Sequence, residues 1–556
     1  MASNDIDWEI EEGIPQVDDP FIQQYLNGRT SLILEEQKQR YDTNLRKALS
    51  PVATRACEIF SKIRDRDLAT LGPNEGDRRQ STPIPHLLED QAQRTKLWKV
   101  LQKMPKGSLL HAHIETMLNI DFIIEEAFTT SGIHVYAPKP LITQRDYEEG
   151  LLYFQYSPVQ SLENEPTVWE ASYKPSSLIS VQTAASSFPN GGEAGFRGWL
   201  KRRCILTLEH PYHQHGDSGM LNVYRSLSPV VISLLSYEPI LRSCLRRMFS
   251  QLAADGINYV EIRNAFAFPY RREGSAAPEK DYSEWCRAFQ EELQRFQRME
   301  EGQSFCGARI VWTASRTLSN REMCESMIQC ILAKLDFPAV ICGFDVVGQG
   351  GHARSLVDLV PMLFWFRKQC AEEGVEIPFL FHVGEYLGDD KQTEHDLFDA
   401  ILLGTRRIGP GESLYKHPLL LEMIKEKKIL VECCPISKGV ASPTDSLSVL
   451  LSRGVPVSLC DYPLAMTQYG MTGLTAEFWL ALQGPDNLEL PGLAMMVENS
   501  IRWSCYEDQS TSEWLSDIQE GILGERTKAM RLREWYTSFE KFCEWIALEF
   551  AETDIS

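Results

Sequence analysis

The chain has 556 residues, 43% hydrophobic and 24% charged, with a net charge of −21, a balance that fits a folded protein with a large core rather than a disordered one. The acidity, with no Lys/Arg block longer than a few residues, excludes nucleic-acid binding by phosphate neutralisation. No stretch approaches the roughly 18 uninterrupted apolar residues of a membrane helix, PVVISLLSY (229–237) being far too short.

The first residues, MASNDIDWEIEEG, are acidic where a secretory signal needs a basic region followed by an apolar one. The 14 Cys are scattered without a repeated CxxC spacing, and no Asn-x-Ser/Thr sequon occurs. A soluble, cytoplasmic protein with reduced thiols is therefore expected.

Residues 1–100 read as a helical appendage, with apolar positions at helical spacing in 21–49 and 52–63. From 107 onward, short apolar runs ending in polar or Gly-rich turns alternate with helical patterns, as in βα units around a parallel sheet. The runs are GSLLHAH (107–113), INYVEIR (257–263), ARIVWTA (308–314), VICGFDVVG (340–348), PFLFHVGE (378–385), TRRIG (405–409), ILVECC (429–434) and PVSLCD (456–461). Eight such units predict an α/β fold, a (β/α)8 TIM-type barrel over 101–500, with an insertion at about 125–235 containing the loop stretch SSFPNGGEAG (186–195). The Trp-rich end of the chain, 501–556, is expected to form helices packed on the barrel.

In such a barrel the active site lies at the carboxyl ends of the strands. His111 and His113 alternate onto one face of the first strand, His382 closes the fifth run and Asp461 the eighth. Together they would make a His3Asp set with a position left for water. An isolated HxH is only suggestive, and a lone His at a strand end is more often a hydrogen-bonded structural residue. What carries the metal reading is that three of the 11 His end barrel runs. Glu385, three residues after His382, could exchange a proton beside the metal, or be an exposed loop glutamate.

MPKGSLLHAH (104–113), YVEIR (259–263), GFDVVG (343–348), FHVGE (381–385), RIGPG (407–411), KHPLL (416–420), CPIS (434–437) and CDYP (460–463) resemble, in order, the motifs of adenosine deaminases. The stretch 236–263 and the helical N-terminal region resemble the adenosine deaminase-related growth factor branch, in which that region helps form a homodimer. The resemblance implies one Zn2+ per chain held by His111, His113, His382 and Asp461, with Asp461 and Glu385 serving catalysis. It also implies hydrolytic deamination of a purine nucleoside through a zinc-bound hydroxide, with Glu385 protonating the purine ring nitrogen. Gly348 would contact the substrate through its backbone, and Glu115 would lie near the ribose.

Three positions depart from that pattern. Pro410 stands where the family's RIGHG motif has a His that activates the water, and proline has no side-chain donor or acceptor. Tyr462 replaces the second Asp of SSDDP, and QGGHARS (349–355) holds no carboxylate. His210, His213 and His215 in the insertion, or His352, are candidates for a replacement base, against the simpler reading of a solvated loop. The HxE and PCxxC layout of cytidine-type deaminases does not occur. Three readings stay open: a metal-dependent deaminase or related hydrolase, a hydrolase of specialised metabolism with a non-nucleoside substrate, and a pseudoenzyme or binding scaffold. The kept ligand set together with Glu385 favours an active hydrolase.

Overall fold

The computed structural model describes residues 15–38, 40–70, 92–159, 165–205, 218–348, 353–384, 391–434, 445–460, 473–483 and 488–551. Strand β1 (Gly107–His113) opens the barrel. An excursion follows, built on a small antiparallel sheet of β2 (Ile133–Tyr136), β3 (Tyr153–Tyr156) and β4 (Ile179–Ser180) in the order β3-β2-β4. The barrel resumes with β5 (Ile257–Ala265), β6 (Gly307–Ser315), β7 (Ile341–Val347), β8 (Leu380–Val383), β9 (Arg407–Pro410), β10 (Leu430–Cys433) and β11 (Val457–Leu459). With β1 these are the eight strands that the sequence predicts.

All eight run parallel, as two ladders, β1-β5-β6-β7 and β8-β9-β10-β11. A bridge between Phe344 and Phe379 joins the ladders on one side. On the other, the helix Leu490–Arg502 ties β11 to β1: Asn499 Nδ2 donates to Val457 O at 2.9 Å, and Ser500 Oγ accepts from Ser108 N at 3.0 Å. The fold is a (β/α)8 barrel with helical additions at both ends. Its strands are buried on both faces, β6 along seven consecutive residues, which is why they read as near-continuous apolar runs instead of alternating ones.

Local sequence fixes where the outer helices begin. Ser319 with Glu322 and Ser355 with Asp358 form capping boxes at the helices after β6 and β7, satisfying backbone donors at each N-terminus. At the base, the helix Thr527–Glu549 packs on the helix Pro51–Thr70, and Trp535 Nε1 donates to Pro105 O at 3.0 Å, just before β1.

The insertion differs in one respect from the expected loop. Gly192–Gly195 form the first turn of the helix Gly192–Cys204, because Phe196 and Trp199 on that helix join a buried aromatic cluster with Trp169 and Phe188. Among the described residues no helix is long and apolar enough to cross a membrane.

Candidate metal centre

His111 and His113 lie two apart on β1, so their side chains leave the strand on the same face. His382, on β8, meets them across the barrel. Ring centroids are 4.3 Å apart for His111–His382, 5.0 Å for His113–His382 and 5.4 Å for His111–His113. One nitrogen from each ring lies within 4.8 Å of the others.

The outer nitrogens are already committed. His111 Nδ1 is 2.8 Å from Glu432 Oε2 on β10, and His382 Nδ1 is 2.6 Å from Asp345 Oδ2 on β7. Ionised carboxylates only accept, so in both rings Nδ1 carries a proton and Nε2 is the nitrogen left to face an ion. His113 Nε2 and His382 Nε2 are 3.2 Å apart. Tetrahedral ligands at the usual Zn–N distance are separated by about 3.3 Å, so this donor set fits a divalent zinc-like ion.

Electrostatics holds His111 and His113 in their ligand form. Burial, helped by Arg263 and His382, drives His111 down to about 3, and burial with the other two rings keeps His113 well below its ordinary value. Neutral imidazole is the form that binds metal. Burial alone would raise the Asp345 carboxyl, yet His382 and Arg263 hold it at about 2. Burial likewise opposes ionisation of Glu432, and Arg263 and Arg407 outweigh it, keeping that carboxyl well below the usual range.

The two arginines belong to a buried charged layer across the barrel. Arg263 Nε donates to Asp345 Oδ2 and its Nη2 to Glu432 Oε2, both at 2.8 Å. Arg407 bridges Glu432 and Glu261, each at 2.5 Å. All five side chains are fully buried, so removing any one would strand a charge away from water. Gly409 on β9 completes the packing: a Cβ there would sit 2.4 Å from His111 Nδ1 and 2.6 Å from Glu432 Oε2.

Of the residues expected from sequence, the structure thus brings together His111, His113 and His382. Glu115 lies on the turn Ile114–Thr116 directly after β1 and is buried. Gly348 follows β7, and Pro410 closes β9 beside Val383 of β8, so both share the carboxyl-end rim with His382. Glu385, Asp461, Tyr462, His210, His213, His215 and His352 lie outside the described residues. Sequence reading assigned no role to Asp345, Glu432, Arg263, Arg407 or Gly409.

The adenosine deaminase family profile matches residues 208–520, more than half of the chain. The chain belongs to the adenosine deaminase family. It is similar to adenosine deaminase 2 of Homo sapiens, 27% identical over 429 residues that cover 75% of this chain and 77% of the human protein. It is also similar to adenosine deaminase 2 of Dictyostelium discoideum, 24% identical over 509 residues, 90% of this chain and 86% of that one. The chain therefore sits on the adenosine deaminase 2-like, growth factor-related branch of that family. Among solved structures, the Arabidopsis N6-mAMP deaminase aligns with a TM-score of 0.47 at 16% identity, over 76% of this chain and 99% of that one. As a family member the chain is a deaminase-type, metal-dependent hydrolase.

Proposed function

We propose that the protein hydrolytically deaminates adenosine or a related purine or heterocycle, using one Zn2+ per chain held by His111, His113, His382 and Asp461. The observation that carries this reading is the convergence of the three imidazoles, with Nε2 of His113 and His382 3.2 Å apart and carboxylates fixing the tautomers of His111 and His382. Bound there, the ion supplies Lewis acidity, lowering the pKa of water to about 7 and polarising the substrate. Glu385 protonates the ring nitrogen beside the carbon under attack. Gly348 meets the heterocycle through its backbone, Glu115 faces the ribose, and Tyr462 contacts the ring where the family has a carboxylate.

Pro410 brings no proton-bearing group to the end of β9. A positioned base contributes roughly 10²- to 10⁴-fold, so turnover of adenosine by the parent is slower than the rest of the site would allow unless another group takes that role. Two further parts of the reading rest on smaller observations. Eleven of the 14 cysteines are buried, which fits thiols kept reduced in a cytoplasmic setting. The helix Pro20–Lys38 buries no residue and exposes Phe21, Tyr25 and Leu32, which supports a homodimer through the N-terminal region.

The test is conversion of adenosine to inosine by zinc-loaded protein, beside Glu385→Ala and Pro410→His. Metal-dependent turnover that Glu385→Ala abolishes and Pro410→His accelerates is expected. A parent inactive on adenosine and not rescued by Pro410→His removes adenosine as the substrate and leaves the hydrolase with a different heterocycle.

A further inference from the structure

Arg316, the residue after β6, is buried at the carboxyl-end rim, and its contacts reach the ends of β7 and β8. Its backbone N–H donates to Val347 O at 2.8 Å and its Nε to Val346 O at 3.3 Å, both on β7. Its Nη2 donates to the carbonyl of His382 at 2.7 Å, on β8. Its Nη1 is paired with Asp396 Oδ2, on the helix Lys391–Leu402 that follows β8. The second oxygen of Asp396 accepts from Leu356 N at 2.8 Å, the first residue of the helix after β7. The Arg316 carbonyl accepts from Arg354 N and Arg354 Nε, both at 3.3 Å. One buried ion pair thus closes a ring through β6, β7, β8 and the helices after β7 and β8.

We propose that Arg316, with Asp396 behind it, is a positioning residue for the metal centre: it holds the backbone of His382 where Asp345 can orient the ring and Nε2 can reach the ion. The inference rests on reading His382 as a ligand. Its logic is geometric. Asp345 fixes the His382 ring from Nδ1 and also accepts from His382 N at 2.9 Å, which leaves the carbonyl of the same residue to be held by another group. The carbonyl leaves the strand on the same β7-facing edge as that N–H, and Arg316 holds it. Only a planar guanidinium can reach that carbonyl, the Asp396 carboxylate and the β7 edge at once, whereas an ammonium is a point donor on a flexible stem.

The experiment measures zinc affinity by competition with a chromophoric chelator, and the visible bands of the cobalt(II)-loaded full chain, for the parent, Arg316→Met, Arg316→Lys, Asp396→Asn and Arg354→Met. Arg316→Met is expected to bind zinc roughly 10- to 100-fold more weakly, the usual consequence of losing an outer support of a ligand, with altered cobalt bands. Arg316→Lys should fall between it and the parent. Asp396→Asn should weaken binding in the same direction. Arg354→Met, whose side chain among the described residues bonds Arg316 O, Leu318 O and Asn320, should keep parental affinity and bands. A folded Arg316→Met with parental affinity and bands overturns the proposal; should that variant not fold, parental behaviour of both Asp396→Asn and Arg316→Lys overturns it. A parent that binds neither metal overturns the reading of His382 as a ligand and the proposal with it, an outcome distinct from a metal-binding parent whose variants are unaffected.

Discussion

At Gly409 the barrel interior admits no side chain larger than hydrogen. A methyl group would sit within 2.6 Å of both partners in the His111–Glu432 hydrogen bond, and both partners are locked, the imidazole by its strand and the carboxylate by two arginines. Gly409→Ala must therefore break that bond or push β9 away from His111 and Glu432. It is expected to cost about 1–3 kcal/mol of stability and to weaken zinc binding roughly tenfold or more, read by denaturant unfolding and chelator competition. Unchanged values for both would mean that the Glu432 contact does not orient His111. The three histidines were legible in the sequence because histidine is rare here and all three close apolar runs. Asp345 and Glu432 were not read as partners because each is one charged letter inside an apolar strand, GFDVVG and ILVECC, with its counter-charge far away in the chain. The signal was still present. A charge in the middle of a strand buried on both faces survives only when paired, so YVEIR, GFDVVG, TRRIG and ILVECC together announce a buried ionic layer.

The barrel strands were readable as elements because each is a compact apolar run bounded by turn residues, and their order follows from parallel βα connection. The sheet β3-β2-β4 was not, since its strands have only four, four and two residues and pair antiparallel across long gaps. The C-terminal helix holds a different kind of information. Lys528, in the first turn of Thr527–Glu549, is buried with its Nζ 3.4 Å from the centre of the Trp514 ring, and Nζ has no hydrogen-bond partner among the described residues. Burial, reinforced by Arg406, lowers its pKa to about 7. The cation–π contact favours the ammonium by about 0.5–2 kcal/mol, less than the several kcal/mol of burying a charge, so burial prevails. Because the folded pKa lies below the unfolded one, the folded chain binds fewer protons than the unfolded chain between about pH 7 and 10.5. This group's contribution to stability therefore rises with pH across that window, and its full penalty is present below it. Lys528→Met should raise the thermal midpoint at pH 6, by an amount equivalent to about 2 kcal/mol, and the gain should shrink as pH approaches 10. A gain independent of pH would show that the ammonium is not the cause.

Across the whole molecule, the helical additions and the barrel meet at the base. The helix Leu490–Arg502 joins β11 to β1, and the N- and C-terminal helices pack on one another below β1. The opposite rim carries the cluster of His111, His113 and His382, the usual division between stability and chemistry in this fold. The family and the barrel could be read from eight ordered motifs. The substrate could not, because Pro410 and Tyr462 stand where the resemblance expects the groups that handle the proton and the ring. The most direct measurement is therefore the metal itself: zinc content of the purified, zinc-equilibrated full chain, beside His382→Ala. Close to one zinc per chain in the parent and its loss from His382→Ala is the expected result. A folded parent that retains no zinc, or a His382→Ala variant that retains as much as the parent, would contradict the three-histidine centre.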